Sequence, residues 1–246
     1  MRISVITAVY NRNAVVGDAV DSVLRQTYRD IDYVIQDGGS TDGTLARIAE
    51  RKDPRIRLCS ERDDGLYDAI NRGIARASGE VIGLMHSDDV FASDDVLARV
   101  AEALNDPAVD GVYGDLDYVS TGDMSRTIRK WRSGGYAPEK LRRGWMPPHP
   151  TLYLRRSVFA AWGAYDTSYR IAADYDAMLR YLVRGGIRLS YVPKVFVRMR
   201  VGGESNRSLS KILTKSREDY RAIRANGVGG LRTLALKNLS KIGQFT

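Results

Sequence analysis

The chain has one cysteine, Cys59, in 246 residues. A single thiol excludes an internal disulfide, and no zinc-type spacing of cysteine and histidine is present. A reducing cytoplasm is therefore the expected compartment, with Cys59 a small buried hydrophobe in a strand. No apolar run approaches the roughly 20 residues that a membrane-spanning helix needs. The N-terminus passes straight into a strand pattern, so no signal peptide is expected. Internal repeats and low-complexity segments are also lacking. The glycine-rich turn at 37–44 (DGGSTDGT) has neither the Gly-Lys-Ser/Thr of a nucleotide triphosphate cradle nor GxGxxG. That argues against an ATPase and against a dinucleotide-dependent dehydrogenase.

What the chain does have is a core's worth of apolar residues, 43%, and a net charge of +8. A length of 246 residues fits one α/β domain, or one domain with an appendage. The positive balance favours anionic partners: nucleic acid, an anionic membrane face or phosphorylated substrates.

The first half alternates strand and helix. Ile3 to Val9 is β-branched and apolar, a buried strand. Asn13 caps a helix expected to run to about Gln26, with Val16, Ala19, Val20, Val23 and Leu24 on its inner face. Further strands are expected at Ile31 to Gln36, Ile56 to Ser60 and Val81 to Met85, with helices at Leu45 to Arg51 and Asp68 to Ala77. This order implies right-handed βαβ crossovers and a mostly parallel sheet with helices on both faces. The strand ends at Tyr10, Asp37, Asp63 and Asp88 then share one rim, where such sheets bind ligands. Asp37 would repel phosphate but suits ribose hydroxyls or a base N–H, because a carboxylate only accepts hydrogen bonds. Asp88 and Asp89 follow a buried strand directly. Two adjacent acids there invite a hard divalent cation. The plainer alternative is that they cap the next helix, a task that Ser93-Asp94-Asp95 can also perform.

Four segments in order, SVITAVYNR, DGGSTDGT, ERDDGLYDAINRG and SDD after an apolar strand, resemble glycosyltransferase family 2. The similarity is greatest to the bacterial branch that builds cell-surface polysaccharides, and it spans about Arg2 to Asn206. The resemblance implies a GT-A fold and a nucleotide-sugar donor. By position it implies that Thr7, Tyr10 and Asn11 line the nucleotide pocket and that Asp37 holds the base or ribose. Asp64 and Asn71 close the pocket from the other side. The resemblance further implies that Asp88 contacts a divalent metal, Mn2+ or Mg2+, on the donor diphosphate, with Asp89 beside it. His86 stands where many relatives have a further carboxylate; imidazole can ligate a metal or bond to the donor, but adds no negative charge.

In the second half, a helix is expected at Ala92 to Leu104 and strands at Val109 to Val119, Thr127 to Arg132 and Val192 to Val201. Asp115 and Asp117 alternate on one face, read as a solvated edge. His149, between Pro148 and Pro150, has little freedom, and the family has a similar His-Pro-Thr run, so it is placed at the site. Arg170 to Arg184 reads as an amphipathic helix with Met178, Leu179, Leu182 and Val183 towards the core. Asp174 and Asp176 fall in its first turn, where acids favour the helix dipole by about 0.3–1 kcal/mol. The resemblance implies that Asp174 is the catalytic base. Arg198 and Arg200 share a face of the last strand and are candidate contacts to the donor diphosphate or an acceptor phosphate; a surface ladder of charges is the alternative.

The expected organisation is a catalytic domain over residues 1–206, with a nucleotide-binding half at 1–104 and an acceptor half at 105–206, then basic helices at 207–246. Leu231, Leu234, Ala235, Asn238, Leu239 and Ile242 form a mostly apolar stripe, with Arg232, Lys237 and Lys241 elsewhere. Such a helix lies on an anionic bilayer, or docks on the catalytic domain or on a second subunit as a homodimer. The expected function is inverting transfer from a nucleoside-diphosphate sugar, UDP first, to a saccharide or polyprenyl-linked acceptor. The expected place is the cytoplasm, peripheral on the cytoplasmic membrane face. A nucleotidyltransferase of the same fold class is the alternative, but TAVYNR is not its basic, glycine-rich phosphate loop. A nucleic-acid-binding module is the other, but the cations are spread along the chain instead of clustering beside aromatics, so no nucleic-acid partner is expected.

Overall fold

The computed structural model describes residues 1–201 and 209–239. The expected loop Gly202 to Asn206, the helix start at Ser208, and Lys241 and Ile242 lie outside them. The first half runs β1 (Ile3–Val9), α1 (Val16–Leu24), β2 (Ile31–Asp37), α2 (Thr44–Ala49), β3 (Ile56–Ser60), α3 (Leu66–Arg76) and β4 (Val81–Leu84). Then come β5 (Val90–Phe91), α4 (Val96–Ala103), β6 (Gly111–Val119), β7 (Thr127–Trp131), α5 (Pro138–Leu141), β8 (Tyr153–Arg155), α6 (Arg156–Trp162), α7 (Ala173–Leu179) and β9 (Leu189–Arg200). The C-terminal helices are α8 (Leu209–Ala225) and α9 (Leu231–Leu239).

Among the described residues the strands form one sheet, ordered β3-β2-β1-β4-β8-β6-β9-β5, with β7 beside β6. β1, β2, β3 and β4 are mutually parallel, as are β6 and β9; β8, β5 and β7 run against their neighbours. One apolar core lies under α1 and α4, built from Val16, Val20, Val23, Val96 and Val100 against Ile3, Val5 and Ile35. The other lies under α3 and α7, built from Ile70, Ile74, Met178 and Leu179 with Ile6 and Ile82. Helices thus cover both faces, as parallel strands buried on two sides require. Gly73 lets α3 approach β1: a Cβ there would sit 2.4 Å from the Ile6 side chain.

Several expectations are corrected. α1 begins at Val16, not at Asn13, because the Asn13 N–H is bonded to the Asp42 carboxylate at 3.1 Å and no side chain caps the helix. β3 is the edge strand, which leaves Cys59 half-buried instead of in the core. Ala92 continues the sheet through its N–H to Phe196 O, so α4 starts four residues late. Asp115 is buried, not solvated, because β6 lies inside the sheet; it accepts from Ser133 N and Tyr191 Oη, both at 2.8 Å. After Leu179 the helix loosens into a π turn, Arg180–Arg184, which turns Val183 out to solvent.

Of the alternatives for the C-terminal helix, docking of the whole stripe on the domain is not what is found. α9 buries Thr233 and Lys237, the latter 3% exposed, while Leu231 and Leu239 stand 71% and 59% exposed. Its polar side docks on the domain; of the stripe, Leu234 packs against the core while Leu231 and Leu239 face out.

Candidate active site

The parallel register puts Val9 opposite Asp37, and Asp37 opposite Ser60, so β1, β2 and β3 end on one rim. Two loops are clasped there. Asn11 adopts a left-handed backbone, φ 50°; its side-chain oxygen accepts from Thr41 N at 2.9 Å and its N–H donates to Ser40 Oγ at 2.8 Å. Asp37 is fully buried and accepts from Gly39 N and Ser40 N, both at 2.9 Å, and from the Ser60 hydroxyl at 2.7 Å. Its first work is therefore to shape the turn. Tyr10 is 59% exposed beside this clasp and offers a free ring face. Asp64 is exposed too, and its carboxylate makes no hydrogen bond among the described residues. Thr7 is different. Its hydroxyl donates to Met85 O at 2.7 Å, lies 3.1 Å from Tyr33 Oη, and is fully buried. It ties β1 to its neighbours and does not face the rim. Asn71 is also committed: its amide donates to Tyr165 O and accepts from Tyr165 N, at 2.8 and 3.0 Å.

The two acids after β4 separate cleanly. Asp89 is 1% exposed, one oxygen accepting from Arg200 N at 3.1 Å and the other without a partner among the described residues. Burial, then the charge of Asp88, pushes its carboxyl well above the usual range. Asp88 is half-exposed, with no donor on its carboxylate among the described residues. Of the pair, only Asp88 presents oxygens to a cation. Arg200 is buried and spent on structure, its guanidinium donating to Asp88 O at 2.7 Å and to the Asp18 carboxylate. It fixes the Asp88-Asp89 turn instead of reaching out to a diphosphate. Arg198 lines a separate concavity of about 350 Å³ with Arg99, Asp117 and Lys194. Another, of about 500 Å³, is lined by Asn13, Gly43 and Arg47. Neither is lined by Asp88 or Asp174, so convergence of side chains, not cavity size, marks the site.

That convergence centres on two histidines. The His86 and His149 rings lie 6.0 Å apart. Burial lowers the pKa of His86, while Asp88 and Asp174 both act on it in the opposite sense. Burial holds His149 down at about 4, again opposed by Asp174. His149 Nε2 is 2.8 Å from Tyr165 Oη, and Tyr165 stacks on Tyr67 with ring centroids 5.7 Å apart. Tyr67 Oη lies 2.7 Å from Ile171 O and 3.2 Å from Asp174 Oδ1. Asp174 is half-exposed in the first turn of α7. Its neighbour Asp176 is buried, held by Asn226 Nδ2 at 2.9 Å and Arg180 at 3.5 Å. One acid of the pair is thus open to the cleft and the other is structural. Tyr67 and Tyr165 escaped the sequence reading. Tyr67 sits inside the ERDDGLYDAINRG segment, the one signal that could have exposed it; Tyr165 lies in an aperiodic loop.

Among the described residues no cluster of three or more His, Cys, Asp and Glu is arranged to hold a metal ion. An open Asp88 carboxylate with no donor on it among the described residues does fit a cation whose other ligands come from a bound diphosphate.

A mostly parallel sheet with helices on both faces and acids gathered at its rim is the GT-A glycosyltransferase architecture. Solved structures bear this out. Staphylococcus aureus TarS 1–349 in complex with UDP-GlcNAc superposes with a TM-score of 0.71 at 18% identity, over 93% of this chain and 66% of that one. The longer TarS chain is covered to 39%. The mannosyltransferase PcManGT of Pyrobaculum calidifontis, in complex with GDP-Man and Mn2+, gives 0.68 at 18% identity, over 96% and 68%. The Glycosyl transferase family 2 profile matches residues 4–160, and the chain belongs to that family. A PGL/p-HBAD biosynthesis glycosyltransferase of Mycobacterium bovis is 34% identical over 218 residues, 86% of this chain and 82% of that protein. An uncharacterized glycosyltransferase of Mycobacterium tuberculosis is 34% identical over 72% of this chain and 68% of its own. The protein is a glycosyltransferase.

Proposed function

We propose that the chain transfers a sugar from a nucleoside-diphosphate donor to a hydroxyl acceptor by single displacement with inversion. One observation carries this: a run of side-chain contacts joins the neighbourhoods of the two open carboxylates, from His86, two residues before Asp88, to the His149 ring 6.0 Å away, then to Tyr165, Tyr67 and Asp174. Asp174 accepts the proton of the acceptor hydroxyl, whose oxygen then attacks the anomeric carbon in line. Tyr67 orients the Asp174 carboxylate from α3. His86 and His149, kept neutral by burial, line the acceptor side as hydrogen-bonding groups. Tyr10 and the clasp of Asn11 with Asp37 receive the nucleoside. Asp88 would hold Mn2+ or Mg2+, which when bound supplies charge neutralisation to the departing diphosphate. The Mn2+ complex of PcManGT supports this assignment.

The donor is a UDP-sugar in the first instance, with GDP- and dTDP-sugars next; the UDP-GlcNAc and GDP-Man complexes of the two neighbours support that class. The acceptor is a saccharide or polyprenyl-linked saccharide, in line with the +8 charge and the outward apolar stripe of α9, which suit work at an anionic membrane face. Mass-detected transfer from a panel of UDP-, GDP- and dTDP-sugars, with and without Mn2+ and Mg2+, tests the reading. Metal-dependent product from the wild-type chain and none from Asp88→Ala is expected. Full activity in EDTA would remove the metal from this scheme.

A further inference from the structure

We infer that Glu218, on α8, is a positioning residue that sets where Asp174 stands, an inference that rests on Asp174 being the base. α7 has no cap of its own: the residue before it is Ala172, which has no side-chain acceptor. Helix starts leave N–H groups that need partners. Here three successive N–H groups, those of Arg170, Ile171 and Ala172, converge on the Glu218 carboxylate at 2.9, 2.8 and 2.9 Å. Bonds from N–H groups to a carboxylate are of the stronger, charge-assisted kind. The acid therefore ties the bent approach to α7 onto a helix distant in sequence.

Further anchors act from the same side. Asn226, just past α8, donates to Asp176 at 2.9 Å. The Lys237 ammonium on α9 lies 3.4 Å from the centroid of the Tyr175 ring and 2.6 Å from Asp219 Oδ1. Burial opposes the charge of Asp219, but Lys237 and Lys215 outweigh it and hold the pKa below the usual value. α9 reaches the loop before His149 as well: Gly144 has φ 78°, and a Cβ there would meet the Lys237 Cα at 2.5 Å. Residues 170–172, 175 and 176 are thus each held by the C-terminal helices. Among the described residues, the Asp174 carboxylate between them is held only by Tyr67. These helices lie outside the segment matched by the family profile, 4–160, and so does Asp174. The base and the Glu218 anchor thus both come from the part of the chain beyond it, and Tyr67 reaches the base from within it.

Two measurements on the full chain test this. In hydrogen exchange, Glu218→Ala should speed exchange of the amides of 170–172 at least about tenfold, with β1 to β4 unchanged. In steady-state transfer, with the donor and acceptor that the wild-type chain turns over, Glu218→Ala should lower kcat about 10- to 100-fold, the scale of an ångström-level misplacement, with donor KM within about threefold. Glu218→Gln keeps a carbonyl oxygen for the N–H groups and should recover most of kcat. Asp174→Asn combined with Glu218→Ala should be no slower than Asp174→Asn alone, because both act on one step. If Glu218→Ala loses its thermal transition, Glu218→Asp replaces it: one methylene shorter, it cannot reach all three N–H groups, and the same kcat loss is expected. A folded Glu218→Ala enzyme with kcat within about twofold of wild type, or unchanged exchange at 170–172, overturns the inference. Undiminished transfer by Asp174→Asn instead removes the base assignment, and Glu218's role in proton transfer with it.

Discussion

Asp88 and Asp89 look alike in sequence and are opposite in structure. One is open, with no partner on its carboxylate among the described residues; the other is buried against the Arg200 N–H. Asp89→Asn should keep the metal requirement of transfer unchanged, whereas Asp88→Asn should abolish it; titrating Mn2+ into both variants distinguishes them. A buried histidine gives a second prediction. His149 is held at about 4 in the folded chain, against 6.5 unfolded. Below pH 6.5 the unfolded chain takes up a proton that the folded chain refuses, so stability falls as pH drops from 6.5 to 4, by on the order of 3 kcal/mol. Thermal midpoints of wild type and His149→Gln across that range should show a shallower acid slope for the variant. Residue type alone showed that acids follow β4 and open α7. Which of each pair is open was not legible: burial of Asp89 and Asp176 depends on Arg200 and Asn226, 111 and 50 residues away.

At the scale of elements, β1 to β4 and α1 to α3 were readable because apolar residues recur at the period of each element and turn residues separate them. β5 was not, since two residues carry no period; it exists because Val90 and Phe91 pair with Arg198 and Val197 of β9. That pairing brings Arg200 under the Asp88-Asp89 turn. Arg200→Ala removes the side-chain bonds to Asp88 O and Asp18 and strips the cation facing buried Asp89. A cost of about 1.5–3 kcal/mol is expected, the scale of lost hydrogen bonds to a charged group, because Asp18 is exposed and the Arg200 N–H to Asp89 is kept. Urea denaturation measures it, and a loss below 1 kcal/mol would show that the turn stands without its brace. The packing of α9 was left open in the sequence for a related reason. A hydrophobic stripe predicts burial, but Lys237 gains an ion pair with Asp219 and the face of Tyr175, and this docks the polar side instead.

For the whole molecule, an excess of eight positive charges and an apolar stripe facing outward belong together. Vesicles carrying about 30% anionic lipid should co-sediment the chain more than neutral ones, with binding that weakens as salt rises. Leu231→Glu with Leu239→Glu should reduce it several-fold at unchanged donor affinity. Equal recovery on both vesicle types would leave the stripe to a second copy of the chain, which light scattering reports. The chemistry itself rests on a single side chain. Asp174→Asn keeps the size and the Tyr67 contact of the native residue but cannot accept the acceptor's proton. Its initial rate of sugar transfer should fall about 10²- to 10⁴-fold while its thermal shift with the nucleotide sugar stays that of wild type. A rate within a few-fold of wild type would contradict the assignment of Asp174 as the base.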